Sequence, residues 1–155
     1  MELLAALEAS GPAAALRTSR WLYPLVNAGH ILGLGLLFGA IVPLDLRLLG
    51  LWRSVPARAL ARVLVPVAAT GVGLAVVTGL LLFSVRPLDY APAGLFQAKL
   101  AVVLLALANV ALLHRLPAWR RLGDGPSGRA LPLAAALSLA LWLTAILLGR
   151  LLAYR

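Results

Sequence analysis

Two ionisable side chains stand inside long apolar runs of this chain, and both could do chemistry. His30 lies in "NAGHILGLGLLFGAIVPLDLRLLG" and Lys99 in "LFQAKLAVVLLALANVALLH". A polar group placed in hydrocarbon costs free energy unless something binds it, so each is by default a candidate functional residue. Imidazole nitrogen is a ligand for iron and other transition metals. A half-buried ammonium suits a carboxylate, a quinone oxygen or another anion through a charge-assisted hydrogen bond. Asn27 lies one helical turn before His30, Asn109 shares a face of its run with Lys99 and Ala106, and Arg150 closes the last apolar run. His30, Lys99, Arg150, Asn27 and Asn109 are therefore the candidate ligand-binding residues, and His30 is the candidate metal ligand.

The elements that must position them follow from composition. The chain has 155 residues, 63% hydrophobic and 12% charged, with a mean hydropathy of +0.99. A soluble domain is about half apolar and a quarter charged, so this is an integral membrane protein, short enough for one small bundle. Cysteine is absent, which excludes disulfides, thiolate chemistry and iron–sulfur clusters. The formal charge is +9. In a soluble protein that would point to nucleic acid. Here the charges separate apolar runs, and they read as loops facing anionic lipid, with no nucleic-acid partner.

Four runs reach the roughly 20 residues that a helix needs to span a bilayer: about 21–44, 63–85, 95–114 and 130–149. Pro24, Pro43, Pro66 and Pro132 fall mostly near run ends, where a missing N–H is best tolerated. Strict alternation is absent and the runs are too long for barrel strands. The predicted fold is all-α: an integral-membrane four-helix bundle, one domain over 1–155, preceded by a short interfacial helix. That helix carries Leu3, Leu4 and Leu7 on one face and is broken by Gly11-Pro12. It does not read as a signal peptide, because Glu2 and Glu8 stand where a basic region would be needed. "LGDGPSGR", 122–129, reads as a loop.

Charge bias sets the expected orientation. The loops after spans one and three hold Arg47, Arg53, Arg58, Arg62, Arg115, Arg120, Arg121 and Arg129, whereas the opposite side holds Arg17, Arg20, Arg86, Arg150 and Arg155. The first side should be cytoplasmic and both termini outside. At about 1.5 Å per residue, His30 is then ~13 Å in from Trp21 and Lys99 ~6 Å in from Leu95, both in the outer leaflet, with Arg150 at the outer end of span four. Ser138, Trp142, Ala145 and Gly149 form one stripe on span four. The glycines at 29, 33, 35 and 39, with Gly71, Ala75 and Gly79, permit close approach of spans one and two.

The second histidine, His114, lies at the inner end of span three. Two axial ligands of one haem stand about 4 Å apart, since metal–nitrogen bonds are roughly 2 Å. His30 and His114 therefore do not share a haem within one protomer. A single-histidine haem, a haem shared with Lys99 and a haem shared with a partner subunit all remain open.

"SRWLYPLVNAGHILGLGLLFGAIVPLDLRLLG", "TGLLLFS", "FQAKLAVVLLALANVALLHR" and "GRLLAYR" together resemble an uncharacterised family of small four-helix bacterial membrane proteins. More distantly, His30 followed by Gly39 and Arg47, with Lys99 early in span three, is similar to the pattern of HemJ-like protoporphyrinogen oxidases, which hold haem b, and to CopD-type membrane domains. The resemblance implies that His30 and Lys99 are the functional pair. Copper handling would need soft ligands for Cu(I), and the chain has no cysteine and one methionine.

Plainer roles exist for each residue. His30 would hydrogen-bond a helix carbonyl or Asn109; Lys99 would snorkel; His114 would be a solvated helix end. Asp45 and Arg47 would form a local ion pair, and Arg150 would anchor to headgroups. Trp21, Trp52, Trp119 and Tyr154 would form the aromatic belt. Phosphate loops, nucleophile elbows and HExxH are absent. The inner halves of the spans read as Leu, Ala and Val, which argues against a channel. The expectation is a bacterial inner-membrane protein binding haem b in the outer leaflet for electron transfer or porphyrin/quinone redox chemistry, with a quinone or another membrane redox subunit as partner. Whether it is an enzyme stays open. The alternative is a non-catalytic accessory subunit, in a homo-oligomer or a larger membrane complex, with His30 as a structural hydrogen bond.

Overall fold

The architecture is given by a computed structural model, which describes residues 1–122, 128–152 and 154. All regular structure among these residues is helical. Two short helices, α1 (Glu2–Glu8) and α2 (Gly11–Thr18), precede α3 (Leu22–Leu48) and α4 (Ala57–Val85). Then come α5 (Pro87–Tyr90), α6 (Gly94–Arg115), α7 (Pro117–Arg120) and α8 (Ala130–Leu152). Helices α3, α4, α6 and α8 are long and apolar enough to cross a membrane. The protein is thus a multi-pass membrane protein built on four spans. Most of the loop expected over 122–129 lies outside the described residues.

The spans begin and end beyond the apolar runs. α4 starts at Ala57, six residues before the expected 63, and takes in Arg58 and Arg62. Alanine and arginine are good helix formers, so the helix continues through the headgroup region after the hydropathy signal has stopped. α3 runs through Pro43 to Leu48, and α4 contains Pro66. These prolines are interior rather than terminal; membrane helices tolerate them where neighbouring groups satisfy the freed carbonyls.

The packed pairs are α3 with α4, α3 with α8, and α6 with α8. Two sides of the bundle are useful to name. On the terminal side α3 and α6 begin and α4 and α8 end; on the loop side the directions reverse. α3 and α4 meet through glycine. A Cβ on Gly33 would stand 2.7 Å from the Ala75 nitrogen, and one on Gly71 would stand 2.5 Å from the Leu37 nitrogen. Gly35 and Gly39 have open space instead, so only part of the small-residue pattern serves this contact. Of the predicted α8 stripe, Ser138, Trp142 and Ala145 are buried and Gly149 is half-buried.

The N-terminal segment departs from a single interfacial helix. Ser10 separates α1 from α2, and Pro12 sits in the first turn of α2, where its fixed φ favours helix. α2 packs on α4 and buries Ala13 and Leu16. The Arg17 guanidinium donates to the Glu8 and Val85 carbonyls. The segment is therefore docked onto the terminal side of the bundle. α1 rests on α5, with Leu3 facing outward, 87% exposed.

Candidate functional site

His30 is held by α4. Thr78, buried on α4, donates its hydroxyl hydrogen to the Leu74 carbonyl at 2.6 Å. With that hydrogen engaged, its oxygen accepts from His30 Nδ1–H at 3.1 Å. In the tautomer this arrangement favours, Nδ1 carries the proton and Nε2 keeps a lone pair; the imidazole also meets the Ala75 backbone. The Nδ1–Cε1 edge lies against Gly79, where a Cβ would approach Cε1 to 3.1 Å. Small residues on α4 thus make the slot, and one threonine meets Nδ1. A metal-ligating histidine is oriented in the same way, by a hydrogen bond from the nitrogen that does not bind.

Lys99 stands on α6 at the same terminal side, half-buried. Its stem passes over α8 at Gly149, with Nζ and Cε each 3.5 Å from where a Cβ would be. The ammonium lies close enough to His30 to interact with it electrostatically. The structure therefore brings His30 and Lys99, from α3 and α6, to one region.

The other three candidates do not join them. Asn27 is exposed, one turn further out on α3. Arg150 is exposed too; it donates to Tyr154 Oη at 2.7 Å, and its guanidinium covers the Tyr154 ring at 4.7 Å. Asn109 shares the α8-facing side of α6 with Lys99, as predicted, but ten residues apart means ~15 Å of helix. It is 8% exposed and donates to the Ala134 carbonyl at 3.0 Å. It belongs to the loop side and makes no contact with His30. Set against family models, curated proteins and solved structures, the chain matches none of them. Its function is read from this geometry.

The loop side holds what the sequence reading missed. Asp45 is not paired with Arg47. Arg47 directs its guanidinium to the loop carbonyls of Val55 at 2.6 Å and Arg53 at 3.4 Å, while Asp45 is 4% exposed, with Ser138 beside its carboxyl. Asp45 Oδ2 and Trp142 Nε1 are both buried, and neither has a hydrogen-bond partner among the described residues. Asp45 and Trp142 are among the residues around a partly open cleft of about 370 Å³ walled by α3, α4 and α6, with Asn109, Ser138 and His114. His114 is more than a solvated helix end. Its Nδ1–H donates to the Val110 carbonyl at 2.8 Å, and its ring meets Trp119 with centroids 4.8 Å apart. Trp119 thereby lines the cleft. The loop-side half of the bundle is not uniformly aliphatic, and Asp45, Asn109, Ser138 and Trp142, on three different spans, signal this in the sequence.

Proposed function

We propose that this membrane protein binds haem b, or a closely similar anionic iron porphyrin, through His30 on its terminal side, and that it serves electron transfer or porphyrin/quinone redox chemistry. The observation that carries this reading is the Thr78–His30 hydrogen bond, which favours the tautomer with a free Nε2 lone pair, beside the Lys99 cation. His30 Nε2 would bind iron and Lys99 would hold a propionate. Neither of the two described clefts is lined by His30. A porphyrin there would lie against the lipid-facing surface or between two chains. Bound haem b supplies one-electron chemistry at iron; the residues of this chain orient it and balance its charge.

Protein purified after expression with ample haem should show a Soret band. His30→Ala should abolish the band and His114→Ala should leave it. Lys99→Met keeps side-chain length and removes charge; it should weaken haem affinity about tenfold, about 1.4 kcal/mol, in a protein that stays folded. A colourless wild-type protein overturns the reading. The same hydrogen bond favours one second reading: an accessory membrane subunit in which His30 ties α3 to α4.

The arginine bias, eight on the loop side against five on the terminal side, supports a bacterial inner-membrane location with both termini outside. A reporter that fluoresces only in the cytoplasm, fused after Arg155, should stay dark. A bright fusion reverses the orientation.

A further inference from the structure

Helices α4 and α6 are not a packed pair. The loop-side cleft stands between them, with Leu64, Val65, Ala68 and Val72 on α4 and Leu107 and Val110 on α6. A second cleft, of about 350 Å³, shares Val65, His114 and Trp119 with the first and adds Arg58 and Arg62. The two make one groove, with a basic mouth and a largely aliphatic interior. Arg62 and Val72 are ten residues apart on α4, about 15 Å of helix. That is half of the ~30 Å hydrocarbon thickness of a bilayer, so the groove runs the depth of one leaflet.

The mouth suits an anion. Arg58 donates to the Leu122 carbonyl at 2.8 Å and to the Arg120 carbonyl at 3.3 Å, which holds the α7 end against α4. Arg62, one turn further into the bilayer, is exposed and has no hydrogen bond or ion pair among the described residues. The rings of His114 and Trp119, with centroids 4.8 Å apart, complete the rim. Among the described residues no Asp or Glu lines this mouth; Asp45, beside the inner cleft, is 4% exposed. A guanidinium recognises a phosphodiester through charge-assisted hydrogen bonds. A zwitterionic head would bring its ammonium among arginines with no carboxylate to receive it, so a net negative head is favoured. The aliphatic interior lies between two spans, where hydrocarbon is the solvent, and it takes an acyl chain rather than a soluble anion. We propose that this groove binds one anionic phospholipid of the loop-side leaflet, its phosphate on Arg62 and one acyl chain between α4 and α6.

The test is native mass spectrometry of the full chain, released from detergent micelles titrated with phosphatidylglycerol or with phosphatidylcholine of the same acyl chains. One retained phosphatidylglycerol per chain is expected, bound about fivefold or more tighter than phosphatidylcholine. Arg62→Gln should bring the two lipids to within about twofold of each other. Ala69 is exposed and lines the groove; Ala69→Trp fills it and should weaken both lipids about fivefold or more. Arg115→Gln removes an exposed loop-side charge that lines neither cleft, and it should change nothing. His30→Ala should change nothing either, so the groove and the haem reading stand or fall separately. Equal retention of the two lipids by the wild-type chain overturns the proposal, as does selectivity kept in Arg62→Gln. A loss in Arg115→Gln equal to that in Arg62→Gln overturns it too, because the attraction is then diffuse. So does unchanged binding in folded Ala69→Trp, or a lipid-free dimer mass, which would place a second copy in the groove.

Discussion

A methyl group placed on Gly71 is expected to pry α3 from α4 and to cost more stability than any other single-methyl addition in the bundle. The ideal Cβ position at Gly71 is 2.5 Å from the Leu37 nitrogen, 2.7 Å from the Gly33 oxygen and 3.0 Å from the Leu37 Cα. All three neighbours are backbone, so no side chain can rotate away. Overpacking in a tight interior costs about 1–3 kcal/mol. Here the helices themselves must separate, which places Gly71→Ala at the upper end and Gly71→Val beyond it. Glycine-to-alanine substitution also has a favourable term, since alanine is preferred in helices by about 1 kcal/mol. Gly35→Ala isolates that term, because nothing lies within 4 Å of a Cβ there. Thermal unfolding in detergent should therefore show Gly71→Ala strongly destabilised and Gly35→Ala unchanged or stabilised. The Thr78–His30 hydrogen bond spans the same α3–α4 pair, so Gly71→Ala should also weaken whatever His30 holds. Equal melting temperatures for the two variants would mean that the helices do not meet at this glycine.

The four spans were legible because hydropathy over about 20 residues is a strong signal, and it depends on no partner. Span ends were less legible. Apolar runs stop where lipid tails stop, whereas helices such as α4 continue through Arg58 and Arg62 on propensity. The pairing of His30 with Lys99 was legible from depth alone. The Thr78 contact with His30 was not, since it needs the rotation of α4 about its axis. Asn109 shows the limit of face reasoning. It does share a side of α6 with Lys99, but the side is long and each end serves different chemistry. Asp45 was misread because Arg47 is close in sequence; at i and i+2 on a helix the two side chains diverge. Its meeting with Ser138 and Trp142 depends on how α3 crosses α8, which no local pattern records.

Asp45→Leu is expected to stabilise the protein. The carboxyl is 4% exposed and one oxygen has no partner among the described residues. An unmet buried polar group costs about 1–3 kcal/mol, and more when it is charged. Replacing a buried polar group by an apolar one of suitable size is often neutral or stabilising. Leucine is bulkier than aspartate, but the adjoining cleft gives the extra carbon room, and the new side chain removes apolar void. The Ser138 hydroxyl loses its neighbour; a hydroxyl on a helix can turn to its own backbone carbonyl, as Thr78 and Thr144 do here, so that loss is small. The expected net effect is about 1–3 kcal/mol of added stability, read as a higher melting temperature in detergent. A lowered melting temperature would mean that Asp45 is an integral part of a satisfied network, through Ser138 and bound water, and that its burial is structural. A raised one identifies a carboxyl kept at a cost to the fold, which is the behaviour of a residue retained for a ligand.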